Sequence, residues 1–140
     1  MRIERFEDIK AWQEARVLVR VVYDATKSDK DFAGEYRFRD QIRGAALSVM
    51  SNIAEGFSRR TTKEFSQFLF IAKGSAAEVQ SQLYVALDQG YVKKDTFDEL
   101  YAKSDEVARL ISGFIRYLLN KDKRPELKKP TQLSELKQLK

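Results

Sequence analysis

TTKEFSQFLFIAKGSAAEVQSQLYVALDQG, residues 61–90, is the stretch that decides the fold. It opens with Thr61 and Glu64 spaced as a capping box, in which each side chain satisfies the other's backbone donor, and it closes on Gly90, placed to stop a helix. Between these signals Phe65, Phe68, Ala72, Ala76, Val79, Leu83 and Ala86 recur at spacings of three and four, with no proline. That spacing predicts one helix of about 28 residues, roughly 40 Å long, with a single apolar face. A helix of this kind must bury its face against other helices.

The neighbouring sequence supplies them. Upstream, about 34–58 places Phe38, Ile42, Ala45, Val49, Ile53 and Gly56 on one face, with Gly44, Ala45 and Ser48 small enough for close helix approach. About 6–26 carries Ala11, Ala15, Leu18, Val22 and Ala25, flanked by Ile9, Trp12, Val19 and Tyr23. Downstream, from about Asp95, the stripe is Phe97, Leu100, Ser104, Val107, Ile111, Phe114 and Leu118, suited to bundle packing at a shallow angle. The connections, about 27–33, 59–60 and 90–94, are short and force antiparallel neighbours. The expected fold is all-α, an antiparallel up-down-up-down four-helix bundle over 1–120. A basic, Pro-containing tail follows over 121–140, whose TQLSELKQLK segment carries Leu133 and Leu136 and orders only when docked.

With 140 residues and 43% apolar content, the chain can bury one core. It has no cysteine and no histidine, which excludes disulfides, thiolate or imidazole metal sites and His-based triads. The charged N-terminus and the lack of a long apolar run predict a cytoplasmic protein with no membrane partner. No enzyme activity, catalytic residue, cofactor or metal is expected. The formal charge is +5, of which the tail holds +4 and the remaining 120 residues +1. Topology nevertheless gathers basic residues at one end, where the start of the first helix, the turn between the second and third, and the end of the fourth meet. Arg59, Arg60, Lys63, Lys121, Lys123, Arg124, Lys128 and Lys129 are the candidate nucleic-acid contacts, because arginine forks match phosphate oxygens. A solvated charged end remains the alternative.

Two polar stripes stand out: Ser48, Asn52 and Glu55 in the second segment, and Ser75, Glu78 and Gln82 in the third. On adjacent helices they predict a structural polar network of Ser48, Asn52, Glu55, Ser75 and Glu78, which fixes register because a slip leaves its members unsatisfied. The functional alternative is a Glu55–Glu78 carboxylate pair sharing a proton or a divalent metal, disfavoured because di-iron bundles draw on Glu-x-x-His pairs. Phe57, Phe70, Tyr84 and Tyr117 lie off the main stripes and leave more apolar surface than one bundle hides, which points to self-association.

FEDIKAWQEA, QIRGAALSVMSNIAEGFSR, KEFSQFLFIAKGSAAEVQSQL and ALDQGYV, together spanning about residues 6–119, resemble the 23S rRNA intervening-sequence protein family, also labelled S23 ribosomal protein. The combination of SxxxNIAEG with GSxxE carries the specificity, and Asn52, Glu55, Gly56, Gly74, Ser75 and Glu78 match the family's motif positions. The resemblance implies a bacterial four-helix bundle, a ring-shaped homopentamer, RNA as a partner, and kinship with retroelement accessory variability proteins that bind nucleic acid and a reverse transcriptase. The body charge of +1 departs from those strongly basic relatives. Two functions follow as expectations: a homo-oligomeric, RNA-associated scaffold, or a protein-interaction adaptor without affinity for nucleic acid.

Overall fold

The computed structural model describes residues 2–123, with side chains described through Lys121. Among them are five helices and no strand: α1 (Lys10–Ser28), α2 (Lys30–Gly34), α3 (Tyr36–Phe57), α4 (Thr62–Asp88) and α5 (Lys94–Lys123). The four long helices pack as α1 on α3, α3 on α4, α4 on α5 and α5 back on α1, the order of an up-down-up-down bundle.

The helix expected from Phe6 starts later. Phe6–Asp8 form a 3-10 turn, and Ile9 is extended. The cause is local: the Asp8 carboxylate accepts hydrogen bonds from the backbone N–H groups of Glu4 (3.0 Å) and Arg5 (3.3 Å), which caps the short turn. The connection expected over 27–33 contains the short helix α2, whose N-cap Asp29 accepts from the Phe32 N–H at 2.9 Å. Phe32 is thereby driven fully into the bundle end and stacks on Phe38 and Tyr91, with centroids 5.7 and 5.5 Å away. At the far boundary α5 runs unbroken through residue 120 to Lys123.

Helix α4 begins and ends where its sequence signals lie. The Thr61 hydroxyl oxygen accepts from the Glu64 N–H at 3.1 Å, but Glu64 does not return to the backbone. It accepts the Thr61 hydroxyl at 3.0 Å instead, so only half of the expected box forms. Gly90 sits at φ +75°, the left-handed position that ends helices at low steric cost for glycine.

Small residues set the spacing of α3 and α4. A Cβ on Gly56 would lie 2.8 Å from Phe65 Cδ1, 2.9 Å from Phe68 Cβ and 3.2 Å from the Phe65 carbonyl oxygen. Only glycine admits that approach. Above it, Val49, Ile53, Leu69, Ala72, Ala76, Val79, Ile111 and Leu118 are buried in the continuous core, and Ser104 Oγ donates to the Ala76 carbonyl at 2.9 Å across α4 and α5. Trp12 is an ordinary core residue, edge-on to Phe6 at 5.0 Å.

The α1–α5 seam carries a partly shielded charge cluster. Lys103 Nζ donates to Glu14 at 2.7 Å and to Glu106 at 2.9 Å, and Lys10 pairs with Glu14 at 3.2 Å. The Lys103 hydrogen bond, helped by Lys10, holds the Glu14 carboxyl below its usual range, and Glu14 in turn raises the Lys103 ammonium. A lowered carboxyl contributes stability that is present above its unfolded value and lost as the pH falls through the folded one.

Two measurements check this account. Gly56→Ala overpacks the α3–α4 contact and is expected to cost about 1–3 kcal/mol in chemical denaturation; an unchanged midpoint would refute the close approach. Glu14→Gln is expected to cost about 1 kcal/mol near neutrality and to flatten the fall in stability below about pH 4.3, read from thermal melts across pH. A parallel acid limb in the variant would show that the cluster contributes nothing.

Candidate nucleic-acid interface

An aromatic chain ties together the end of the bundle that holds the basic residues. Phe57 meets Phe65 at 6.1 Å, Phe65 meets Phe114 at 5.4 Å, and Phe114 stacks on Tyr117 at 5.9 Å. The α3–α4 turn therefore sits beside the last turns of α5, and Ile3 and Ile9 join Phe114 and Tyr117 there. Phe57 was expected to lie off the core and is instead buried, because the tight turn folds it edge-on under Phe65.

The cations at this end divide into two groups. Arg2 pairs with Glu4 at 3.3 Å, and Arg5 with Glu7 at 3.6 Å and Asp8 at 4.0 Å. Arg59 pairs with Glu55 at 3.0 Å and lies over the Phe68 ring at 4.6 Å, with its Nε buried and unpartnered among the described residues. Arg59 is thus folded back on its own bundle, where it clamps the turn. Arg60, Lys63 and Arg116 are exposed and make no ion pair among the described residues. Lys121 reaches over the Tyr117 ring at 5.6 Å. The side chain of Lys123, and Arg124, Lys128 and Lys129, lie outside the described residues, as do Leu133 and Leu136. Among the described residues, Arg60, Lys63 and Arg116, with the half-buried Lys121 beside them, form the available basic surface.

The polar stripes meet only in part. Asn52 Nδ2 donates to the Ser48 carbonyl at 2.8 Å and to its hydroxyl at 3.0 Å, and the Ser48 and Ser75 hydroxyls share a 2.8 Å hydrogen bond across the helices. Glu55 and Glu78 do not join, a correction to the expected network. With Ser48 facing Ser75 on antiparallel helices, Glu55 is level with about residue 68, and Glu78 lies on the order of 15 Å further along α4. The stripes run in opposite directions from their one crossing point. Both carboxylates are exposed; Glu55 turns to Arg59, and Gln82 Nε2 donates to Glu78 at 3.5 Å. That separation removes the Glu55–Glu78 pair as a shared proton or metal site, and no cluster of three or more acidic groups capable of holding a metal occurs among the described residues.

The outward face of α4 went largely unread in the sequence. Phe70 and Tyr84 stand off the core stripe, and Ile71 and Val85 are exposed beside them, at 53% and 45%. The two pairs are fourteen residues apart, close to four full turns, so they share one side of the helix. Leu47 adds to the exposed apolar surface from α3. Gly74 lies between the two pairs and Gly44 on α3, and a Cβ on either would meet nothing within 4 Å. Each glycine costs its helix about 1 kcal/mol relative to alanine, and nothing inside the bundle requires it. Gly44, expected from sequence to allow close helix approach in the bundle, faces outward instead, and Gly74 has the same signal, a glycine in the middle of a helix on its polar side.

No helix of the described residues is long and apolar enough to cross a membrane. No functionally curated protein matches the chain. A crystal structure of a protein of unknown function from the S23 ribosomal protein family of Bacteroides thetaiotaomicron shares the fold, with a TM-score of 0.70 at 19% identity over 75% of this chain and 97% of that one. The family model for the 23S rRNA-intervening sequence protein matches residues 7–113, most of the bundle, and the chain belongs to that family.

Proposed function

We propose that this protein is a non-enzymatic, self-associating helical scaffold that binds RNA through the end formed by the α3–α4 turn and the last turns of α5. The observation that carries the RNA reading is the exposed set of Arg60, Lys63 and Arg116, with the half-buried Lys121 beside them, gathered at one end while Arg2, Arg5 and Arg59 neutralise neighbouring acids. Guanidinium and ammonium groups of this kind bind phosphate oxygens with an affinity that falls as salt rises. The family's tie to an rRNA intervening sequence is consistent with an RNA partner.

Self-association is supported by the outward face of α4. Exposed Phe70, Ile71, Tyr84 and Val85 flank Gly74, where a second backbone is able to approach closely. The resemblance to ring-forming relatives implies five copies. Repetition matters because the few free cations among the described residues bind RNA weakly in one copy, whereas several copies on one particle bind with the avidity of linked sites. A second reading, an adaptor for a protein such as a reverse transcriptase, draws on the near-neutral body and the same exposed apolar face. It predicts little affinity for nucleic acid.

The test is fluorescence-anisotropy binding of a structured 23S rRNA fragment and a matched DNA duplex at two salt concentrations, with the full chain and the Arg60→Glu, Lys63→Glu double variant. Both positions are exposed, so helix content is expected to hold. The expected result is salt-sensitive RNA binding that weakens at least about tenfold in the variant. Absence of binding by the full chain at low salt would refute the RNA reading and leave the adaptor.

A further inference from the structure

A largely apolar groove of about 340 Å3 lies along the seam between the start of α1 and the second half of α5. Ile3, Ile9, Leu110, Phe114 and Tyr117 line it, with the exposed cations Lys10 and Arg109 among its walls. It is separate from the outward face of α4. We propose that this groove is the docking site of the chain's own C-terminal segment, residues 131–140, with Leu133 and Leu136 seated against Leu110, Phe114 and Tyr117.

Four observations select that occupant. The first is reach. Helix α5 ends at Lys123, thirteen residues and roughly 20 Å beyond Leu110. Residues 124–132 span up to about 30 Å when extended, and Pro125 and Pro130 oppose continuation of the helix, so the chain is able to turn back. The second is pattern: Leu133, Leu136 and Leu139 recur every three residues, on one side of a helical turn, with polar residues between them. The third is charge. Glu135 falls between the first two leucines and Lys137 just beyond them, while the groove wall is mixed, with Lys10 and Arg109, each already paired to a carboxylate of its own helix, standing beside Asp8. The fourth is size. The volume is near the lower end of the roughly 300–1,000 Å3 range of pockets that enclose small ligands, which suits a few aliphatic side chains better than the surface of a folded partner.

Tethering makes modest contacts sufficient, because a short linker presents the segment at an effective concentration in the millimolar range. Docking also holds Lys128 and Lys129 at the end of the bundle that carries Arg116 and Lys121. The docking itself does not depend on RNA binding, and its test does not use RNA.

The chain contains no cysteine, so a disulfide placed by substitution reports proximity without background. At Gly113, a groove-lining residue, a Cβ would meet only Arg116 Nη2, at an ordinary 3.8 Å. The Gly113→Cys, Leu136→Cys full-length protein is expected to form an intramolecular disulfide under mild oxidation. Lys27→Cys, Leu136→Cys, with the first thiol exposed at the other end of α1 and away from the outward face of α4, is expected to form none. In parallel, Leu133→Ser, Leu136→Ser, which adds no charge beside the cleaved lysine, is expected to speed tryptic cleavage after Lys137 at least about fivefold relative to the unmodified chain, as an undocked segment becomes available. Intermolecular linkage would assign the groove to a neighbouring copy's tail and overturn the proposal. Equal crosslinking of the two pairs, or unchanged cleavage after Lys137, would overturn it as well.

Discussion

The close contact of α3 and α4 at Gly56 is the constraint on which the rest of the bundle depends. With Phe65 and Phe68 where a Cβ would stand, the two helices are drawn together beside their turn. From that point the Ser48–Ser75 hydrogen bond fixes the register further up the seam. A slip would part the Ser48 and Ser75 hydroxyls in a partly buried position, at a cost comparable to a lost hydrogen bond, while Asn52 keeps its bonds to Ser48 within α3. The same approach folds Phe57 under Phe65, lays Arg59 across Phe68, and turns Arg60 and Lys63 toward solvent. Geometry at one glycine thus decides which cations serve the fold and which face outward.

Periodicity made the long helices legible because each has one apolar stripe and few internal breaks. It failed where short-range hydrogen bonding overrides pattern. Asp8 and Asp29 each accept a backbone N–H and build a turn that apolar spacing does not record. The Asp29 cap also explains how Phe32, read as part of a connection, becomes one of the largest fully buried side chains. Ser48, Asn52 and Ser75 were legible as polar interruptions of core stripes, but their pairing with Glu55 and Glu78 was not. Stripe membership is a property of one helix, whereas pairing depends on the register of two. Sequence likewise grouped Arg59 with Arg60, although four residues separate Arg59 from Glu55 along the helix and commit it to an ion pair.

The surface reads as a division of labour between an apolar flank and a charged end. Phe70, Ile71, Tyr84 and Val85 surround a glycine that the monomer does not need, and burial against another copy would remove that apolar area from water. Among the described residues the charged end offers only Arg60, Lys63 and Arg116 as exposed, unpaired cations, a set that in the proposed mechanism holds RNA weakly as a single copy. Association therefore comes first in the proposed mechanism, with phosphate binding a property of the assembled particle.

That ordering is tested most directly by measuring RNA affinity and particle mass together, by anisotropy and sedimentation, for the full chain and for Ile71→Glu, Val85→Glu. The account predicts that the variant remains helical, sediments as a smaller species and loses at least about tenfold in RNA affinity, although no proposed phosphate contact has been altered. A variant that becomes monomeric yet binds RNA as tightly as the parent would contradict it.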